Sequence, residues 1–227
     1  MNFQEDSLID ELSKNHRRET FGLIICAFFH QPKPIPFVDL YRQLIDQLEN
    51  SFNSDERQCC YLYPISYLHI TISTLYSFKH PPPASPEKFF DQAKEFFARF
   101  KQNSRQQSIH LTIDAIDLSE AAGYFHFKDE ANRFASIRQS IKQLWQPDEA
   151  KEKLNLPNIV HSTFLRFTRK LNDPQTFQEK FQRISQQIFQ QSKEIFLDID
   201  EICLAFESHP YMHIPCDEST ILDVMKC

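Results

Sequence analysis

The apolar positions of this chain fall into runs of two kinds. Phe21-Gly-Leu-Ile-Ile-Cys-Ala-Phe-Phe29 is a continuous apolar run of strand length, which predicts a central strand buried on both faces, closed by Pro32, Pro34 and Pro36. From Phe37 to Leu48 the apolar residues Phe37, Val38, Leu40, Tyr41, Leu44, Ile45 and Leu48 recur at helical spacing between Asp39, Arg42, Gln43 and Asp46, which predicts a helix packed on the sheet. Tyr61 to Phe78 is rich in β-branched and aromatic residues and predicts strand, broken near Pro64 and ended by Pro81-Pro82-Pro83. A helix over Pro86 to Lys101 follows, with Ser85 as its cap and Pro86 at its first position.

The second half repeats this alternation. Ile109 to Ile116 alternates with period two and predicts a strand, and Gly123 before Tyr124-Phe-His-Phe suggests a turn and a returning strand. Glu130 to Trp145 reads as helix, Asn158 to Thr168 as strand, Pro174 to Gln191 as helix and Glu194 to Phe206 as strand. At the start, Ser7-Leu-Ile-Asp10 has capping-box spacing and predicts a short helix ending before Arg17-Arg18. The expected organisation is an appended helix within 1–18, a two-lobed domain over 19–215 and a tail over 216–227. The element order permits an α+β fold with antiparallel sheets.

Composition narrows the function classes. With only two glycines, Gly22 and Gly123, in 227 residues, no glycine-rich phosphate loop or dinucleotide fingerprint can be written anywhere. A formal net charge of -6 argues against holding a long nucleic-acid duplex by counterion release, while a short phosphate ligand stays open. Neither a signal-peptide run nor a membrane span of ~18 apolar residues is present, so a cytoplasmic protein without membrane association is expected. The cysteines Cys26, Cys59, Cys60, Cys203, Cys216 and Cys227 form no CxxC pair and are read as reduced, with Cys26 and Cys203 in core strands.

The chemistry resides in two short words, His69-Ile-Thr71 and His161-Ser-Thr163, each inside a β-rich run. On a strand, residues i and i+2 share a face about 7 Å apart, so each word presents an imidazole beside a hydroxyl. Two such strands facing one cleft supply the set a phosphodiester needs. One histidine takes a proton from water and the other gives one to the leaving oxygen, since a pKa near 6.5 keeps both forms accessible. The hydroxyls bind the non-bridging oxygens.

These words, the second continuing as Phe164-Leu-Arg166, resemble the two-histidine (2H) phosphoesterase superfamily, which includes the RNA 2',3'-cyclic phosphodiesterases, also called 2'-5' RNA ligases. The resemblance implies a bilobal duplicated fold, two antiparallel sheets flanked by helices around a central cleft, and metal-free hydrolysis with no cofactor. It assigns His69 and His161 as acid and base, Thr71 and Thr163 as phosphate-binding residues, and a small nucleotide or RNA terminus as partner. The chain departs from the family at Ser162, Ile72 and Phe164.

Other residues compete for a role. His110-Leu-Thr112 carries the same word and is read as a decoy, because the family's element order gives that strand no catalytic position. Ser73 shares the face of His69 and Thr71 on an ideal strand, whereas Arg166, five residues from His161, falls on the opposite face and reaches phosphate only if the strand is bulged. Tyr63, Tyr67, Tyr124 and Phe125 are candidate base-stacking rings, and Arg169-Lys170 candidate contacts to outer phosphates. His126, His209 and His213 have no partner pattern. The rival readings are a binding module that holds the same ligand without turnover, and a zinc or redox protein built on the cysteines.

Overall fold

The computed structural model describes residues 2–14, 18–104, 108–146, 154–192 and 195–227. The apolar run at the front becomes β1 (Leu23–Ala27), buried at every position. The helical run becomes α2 (Ile35–Ser51), after the short α1 (Ser7–Ser13), and is followed by α3 (Ser54–Cys59). Next come β2 (Cys60–Leu62), β3 (Ile70–Tyr76), α4 (Pro86–Asn103), β4 (Ile109–Leu118), β5 (Ala122–Lys128), α5 (Arg133–Leu144), β6 (His161–Phe167) and α6 (Pro174–Gln191). The chain finishes with β7 (Phe196–Ile199), β8 (Glu201–Phe206) and β9 (Ile221–Lys226).

The strands form two antiparallel sheets, in the orders β3-β1-β8-β9 and β2-β6-β5-β4-β7. Helices α2 and α6 pack against each other, with α6 on β4 of the five-stranded sheet. Helix α4 meets α5 and β9, and α5 meets β3, in the four-stranded sheet. The fold is therefore the expected α+β arrangement of two antiparallel sheets flanked by helices. The two motif strands belong to different sheets, β3 to one and β6 to the other. Most of the 22 phenylalanines are core, with Phe125, Phe127, Phe164, Phe167, Phe177 and Phe181 fully buried under the five-stranded sheet.

Several expectations are corrected. The run Tyr61 to Phe78 breaks near Pro64 as expected, but its two sides belong to different sheets, because Pro64 and a 3-10 turn at Ile65–Tyr67 carry the chain from one to the other. The run from Glu194 to Phe206 splits in the same way at Asp200, which lies between β7 and β8, and Glu194 itself lies outside the described residues, as does Arg17. Residues 216–227 are no tail, since β9 pairs with β8 from Glu201↔Lys226 to Ala205↔Ile221. Asp6, rather than Ser7, caps α1 by accepting the Leu8 N–H at 3.0 Å. Ser85 makes no side-chain cap to α4.

Gly123 lies within β5 rather than in the turn before it. A Cβ there would come within 3.2 Å of the Phe181 ring and of Leu165 Cβ, so a larger residue would crowd α6 against the sheet.

Candidate active site

Both motif strands carry the same irregularity at the same place. Between β1 and β3, Thr71 faces Cys26 and Ser73 faces Ile25, which makes Ile72 an extra residue. Between β5 and β6, Thr163 faces Tyr124 and Leu165 faces Gly123, which makes Phe164 extra. A bulge shifts the alternation by one, so the residue three beyond each threonine returns to the face of the histidine. His69, Thr71 and Thr74 from one sheet and His161, Thr163 and Arg166 from the other accordingly line a single cavity of about 300 Å³.

The bulges overturn two expectations from ideal alternation. Ser73 is fully buried and Thr74 takes the lining position. Arg166, assigned to the opposite face, is in the cavity. Its Nε donates to the Tyr63 hydroxyl at 3.2 Å and its guanidinium carbon lies 4.2 Å from the centre of the Tyr211 ring. The repeated spacing His-x-Thr-x-x-Thr74 and His-x-Thr-x-x-Arg166 was the sequence signal for both.

The two imidazoles are held differently. His69 directly precedes β3, and its Nδ1 lies 2.9 Å from the Tyr67 carbonyl oxygen, which fixes Nδ1 as the N–H and leaves Nε2 as the basic nitrogen. Burial lowers the His69 pKa to about 4, the Tyr67 carbonyl opposes the shift, and the nearby His161 adds to it. Burial lowers the His161 pKa as well, opposed by the Ile159 carbonyl and reinforced by Arg166 and Arg138. The ring of Tyr124 stands edge-on to His161, with centroids 5.6 Å apart.

Arg138 of α5 ties the two motif strands together from behind. Its Nε donates to the carbonyl of Ile72, the extra residue of the first bulge, at 3.2 Å, and its Nη2 donates to the carbonyl of Ile159, two residues before His161, at 2.9 Å. A bulge leaves a backbone group without its ladder partner, and here a buried guanidinium supplies one.

Glu207 also lines the cavity. Burial raises its pKa to about 8, against the N–H groups of Met212 and Tyr211 and the charge of Arg166. Gly22 makes room for it, since a Cβ there would lie 2.8 Å from Glu207 Oε2.

The remaining candidates divide. His110 is paired with Asp198 at the far edge of the five-stranded sheet, 72% exposed in its side chain and away from the cavity. Tyr63 lines the cavity, whereas Phe125 is core. Tyr67 packs on His213 with centroids 4.6 Å apart, and His213 Nε2 lies 2.9 Å from the Tyr61 hydroxyl. His126 pairs with Asp114 at 3.0 Å. Arg169 lies 3.9 Å from Asp10 of α1. Lys79, which the sequence reading passed over, is at the cavity. Cys26 and Cys203 are neighbours in β1 and β8 with Sγ atoms 3.3 Å apart. Among the described residues, His, Cys, Asp and Glu side chains do not gather in threes in an arrangement able to hold a metal ion, and no helix is long and apolar enough to cross a membrane.

No family model matches the sequence, and no curated protein matches it. Among solved structures, the chain is similar to Escherichia coli LigT complexed with 3'-AMP (13% identity, 92% of this chain and 96% of that one, TM-score 0.48). It is similar also to Kluyveromyces marxianus Usb1 (9% identity, 81% and 92%, TM-score 0.48) and to a structure described as a phosphoesterase (12% identity, 91% and 95%, TM-score 0.45).

Proposed function

We propose that the chain is a metal-independent phosphodiesterase that hydrolyses a 2',3'-cyclic phosphate or a 2'-5' phosphodiester at an RNA end or in a small nucleotide. The observation that carries this reading is the convergence of two His-x-Thr words, from two separate sheets and with matching bulges, on one cavity that also holds Arg166. Two titratable imidazoles, two hydroxyl donors and one permanent cation form the set that in-line displacement at phosphorus uses.

His69 is the base in this scheme. Its fixed Nδ1–H and low pKa leave Nε2 unprotonated at neutral pH, ready to take a proton from water. The water oxygen bonds to phosphorus as the bond to the 2' or 3' ribose oxygen breaks, and protonated His161 gives its proton to that oxygen. Thr71 and Thr163 donate to the non-bridging oxygens while Arg166 offsets their charge. The product is a phosphomonoester. The acidic balance of the chain favours a small ligand or an RNA terminus over a long duplex.

The test is a panel of 2',3'-cyclic and 2'-5' linked nucleotides, incubated with and without chelator and resolved by chromatography. Turnover is expected in chelator, with losses of about 10² to 10⁴ in rate for His69→Ala and for His161→Ala. Ligand that binds but is recovered intact would make the cleft a binding module instead.

A further inference from the structure

Arg166 is held by an arm that begins far away in the sequence. After β8 the chain turns at Pro210–Met212, where Tyr211 and Met212 have φ of 57° and 58°. Two successive non-glycine residues adopt the left-handed conformation only when their surroundings hold them there. Glu207 Oε1 accepts the Met212 N–H at 3.0 Å, and the Tyr211 hydroxyl donates to Asp6 Oδ2. The resulting pose lays the Tyr211 ring on the guanidinium of Arg166.

Asp6 is anchored in turn. Its backbone N–H donates to the carbonyl of Phe167 at 2.9 Å, and Phe167 follows Arg166 directly in the chain. The Phe3 ring packs on Phe167, tilted by 33° with centroids 4.4 Å apart. The contacts thus close a circuit from Arg166 to Tyr211, to Asp6, to Phe167 and back to Arg166. With one face covered by Tyr211 and Nε engaged by Tyr63, the guanidinium has its two Nη groups left, among the described residues, for an oxyanion.

We infer that Asp6 and Tyr211 are positioning residues for Arg166, so that the segment expected as an appended helix is part of the phosphate-binding apparatus. The inference deepens the reading of the cleft given above and rests on it.

A double-mutant cycle decides it. Asp6→Ser keeps a helix-capping side chain but is too short to hold Tyr211, and Tyr211→Phe keeps the ring while deleting the hydroxyl. For each variant and for the pair, the KM and kcat for a nucleoside 2',3'-cyclic monophosphate are measured, together with the Kd for a nucleoside 2'-monophosphate. Each single change is expected to raise KM and Kd about three- to tenfold with kcat nearly unchanged, and the pair no further than the larger single, because both break one bond. Tyr211→Leu, which removes the ring, should weaken binding at least as much as Tyr211→Phe.

Effects that multiply in the pair, or variants that lower Tm without moving Kd, overturn the inference. A wild-type chain that turns over no substrate overturns the hydrolytic reading alone, and the Kd series still decides the positioning. A wild-type chain that binds no nucleotide overturns both.

Discussion

Arg138→Met is the sharpest probe of how the two halves of the cleft are kept in register. Arg138 is 8% exposed and its guanidinium makes two hydrogen bonds to main-chain carbonyls, one on each motif segment. A hydrogen bond from a charged donor contributes roughly 1.5–3 kcal/mol, and methionine fills similar volume without serving either carbonyl. Removing a buried cation also returns its desolvation cost, so the net loss should be about 2–3 kcal/mol rather than the gross sum. With a urea m-value near 3 kcal/mol/M for a chain of this length, the unfolding midpoint should fall by about 1 M at unchanged slope. Trp145, the only tryptophan, follows α5 directly and packs on Phe89 and Phe96, so its fluorescence reports on the same helix. Arg138→Lys, whose ammonium can serve one carbonyl but not both, should fall between. An unchanged midpoint for Arg138→Met would refute the tie between the strands.

Further outcomes follow from the charges described above. With His69 as base and His161 as acid, both lowered by burial, kcat/KM should rise through about pH 4 and decline again as His161 loses its proton below its ordinary 6.5; a profile still rising at pH 8 would refute this pair as the titrating groups. Lys180→Met leaves Glu56, 2% exposed and the closing residue of the capping box on α3, without its cation, and should cost about 3 kcal/mol in a urea titration; no loss would mean that the pair is screened by solvent. Glu207, raised from 4.5 to about 8 in the fold, favours the folded state at low pH and loses that contribution as pH rises from 4.5 to 8, so Glu207→Gln should flatten the stability profile on that side. His69, lowered from 6.5 to about 4, contributes above 6.5 and loses its contribution as pH falls to 4; His69→Asn should flatten the acid side in thermal melts, and parallel curves for wild type and variants would refute both assignments.

The fold was legible wherever a single element accounted for a single run. Phe21 to Phe29 could only be a buried strand, and the periodicity of α2, α4 and α6 placed each helix within a few residues of its observed bounds. What failed was the boundary between sheets. The break near Pro64 in Tyr61 to Phe78 was visible but not that its two sides join different sheets, and the run ending at Phe206 read as one strand because a crossing between sheets needs only a brief kink, at Asp200, between residues that are equally β-prone. The strand β9 was missed for a related reason. It sits at a sheet edge with intermediate burial at four of its positions, so its Ile-Leu-Asp-Val-Met pattern lacks both the alternation of a half-buried strand and the apolar continuity of a central one.

The cavity was legible only up to the bulges. A three-residue word reports the two side chains that stand before the irregularity, and His69, Thr71, His161 and Thr163 line one cavity because alternation holds that far. Beyond it, phase is set by whether one residue is left out of the ladder, and nothing in the chemistry of Ile72 or Phe164 announces that, since each is an ordinary core side chain. The information was present instead in the comparison of the two words. If the halves are alternative versions of one strand, a bulge in one implies a bulge in the other, and the residues at the same offset, Thr74 and Arg166, must enter the cavity together or not at all. That the two positions hold different residues makes the site asymmetric: the cation stands on the strand of His161, beside the group assigned as acid, where it also lowers that imidazole's pKa. The two histidines thus share one backbone frame and differ in the field around them: burial lowers both, and Arg166 adds to the shift at His161 while His161 adds to it at His69.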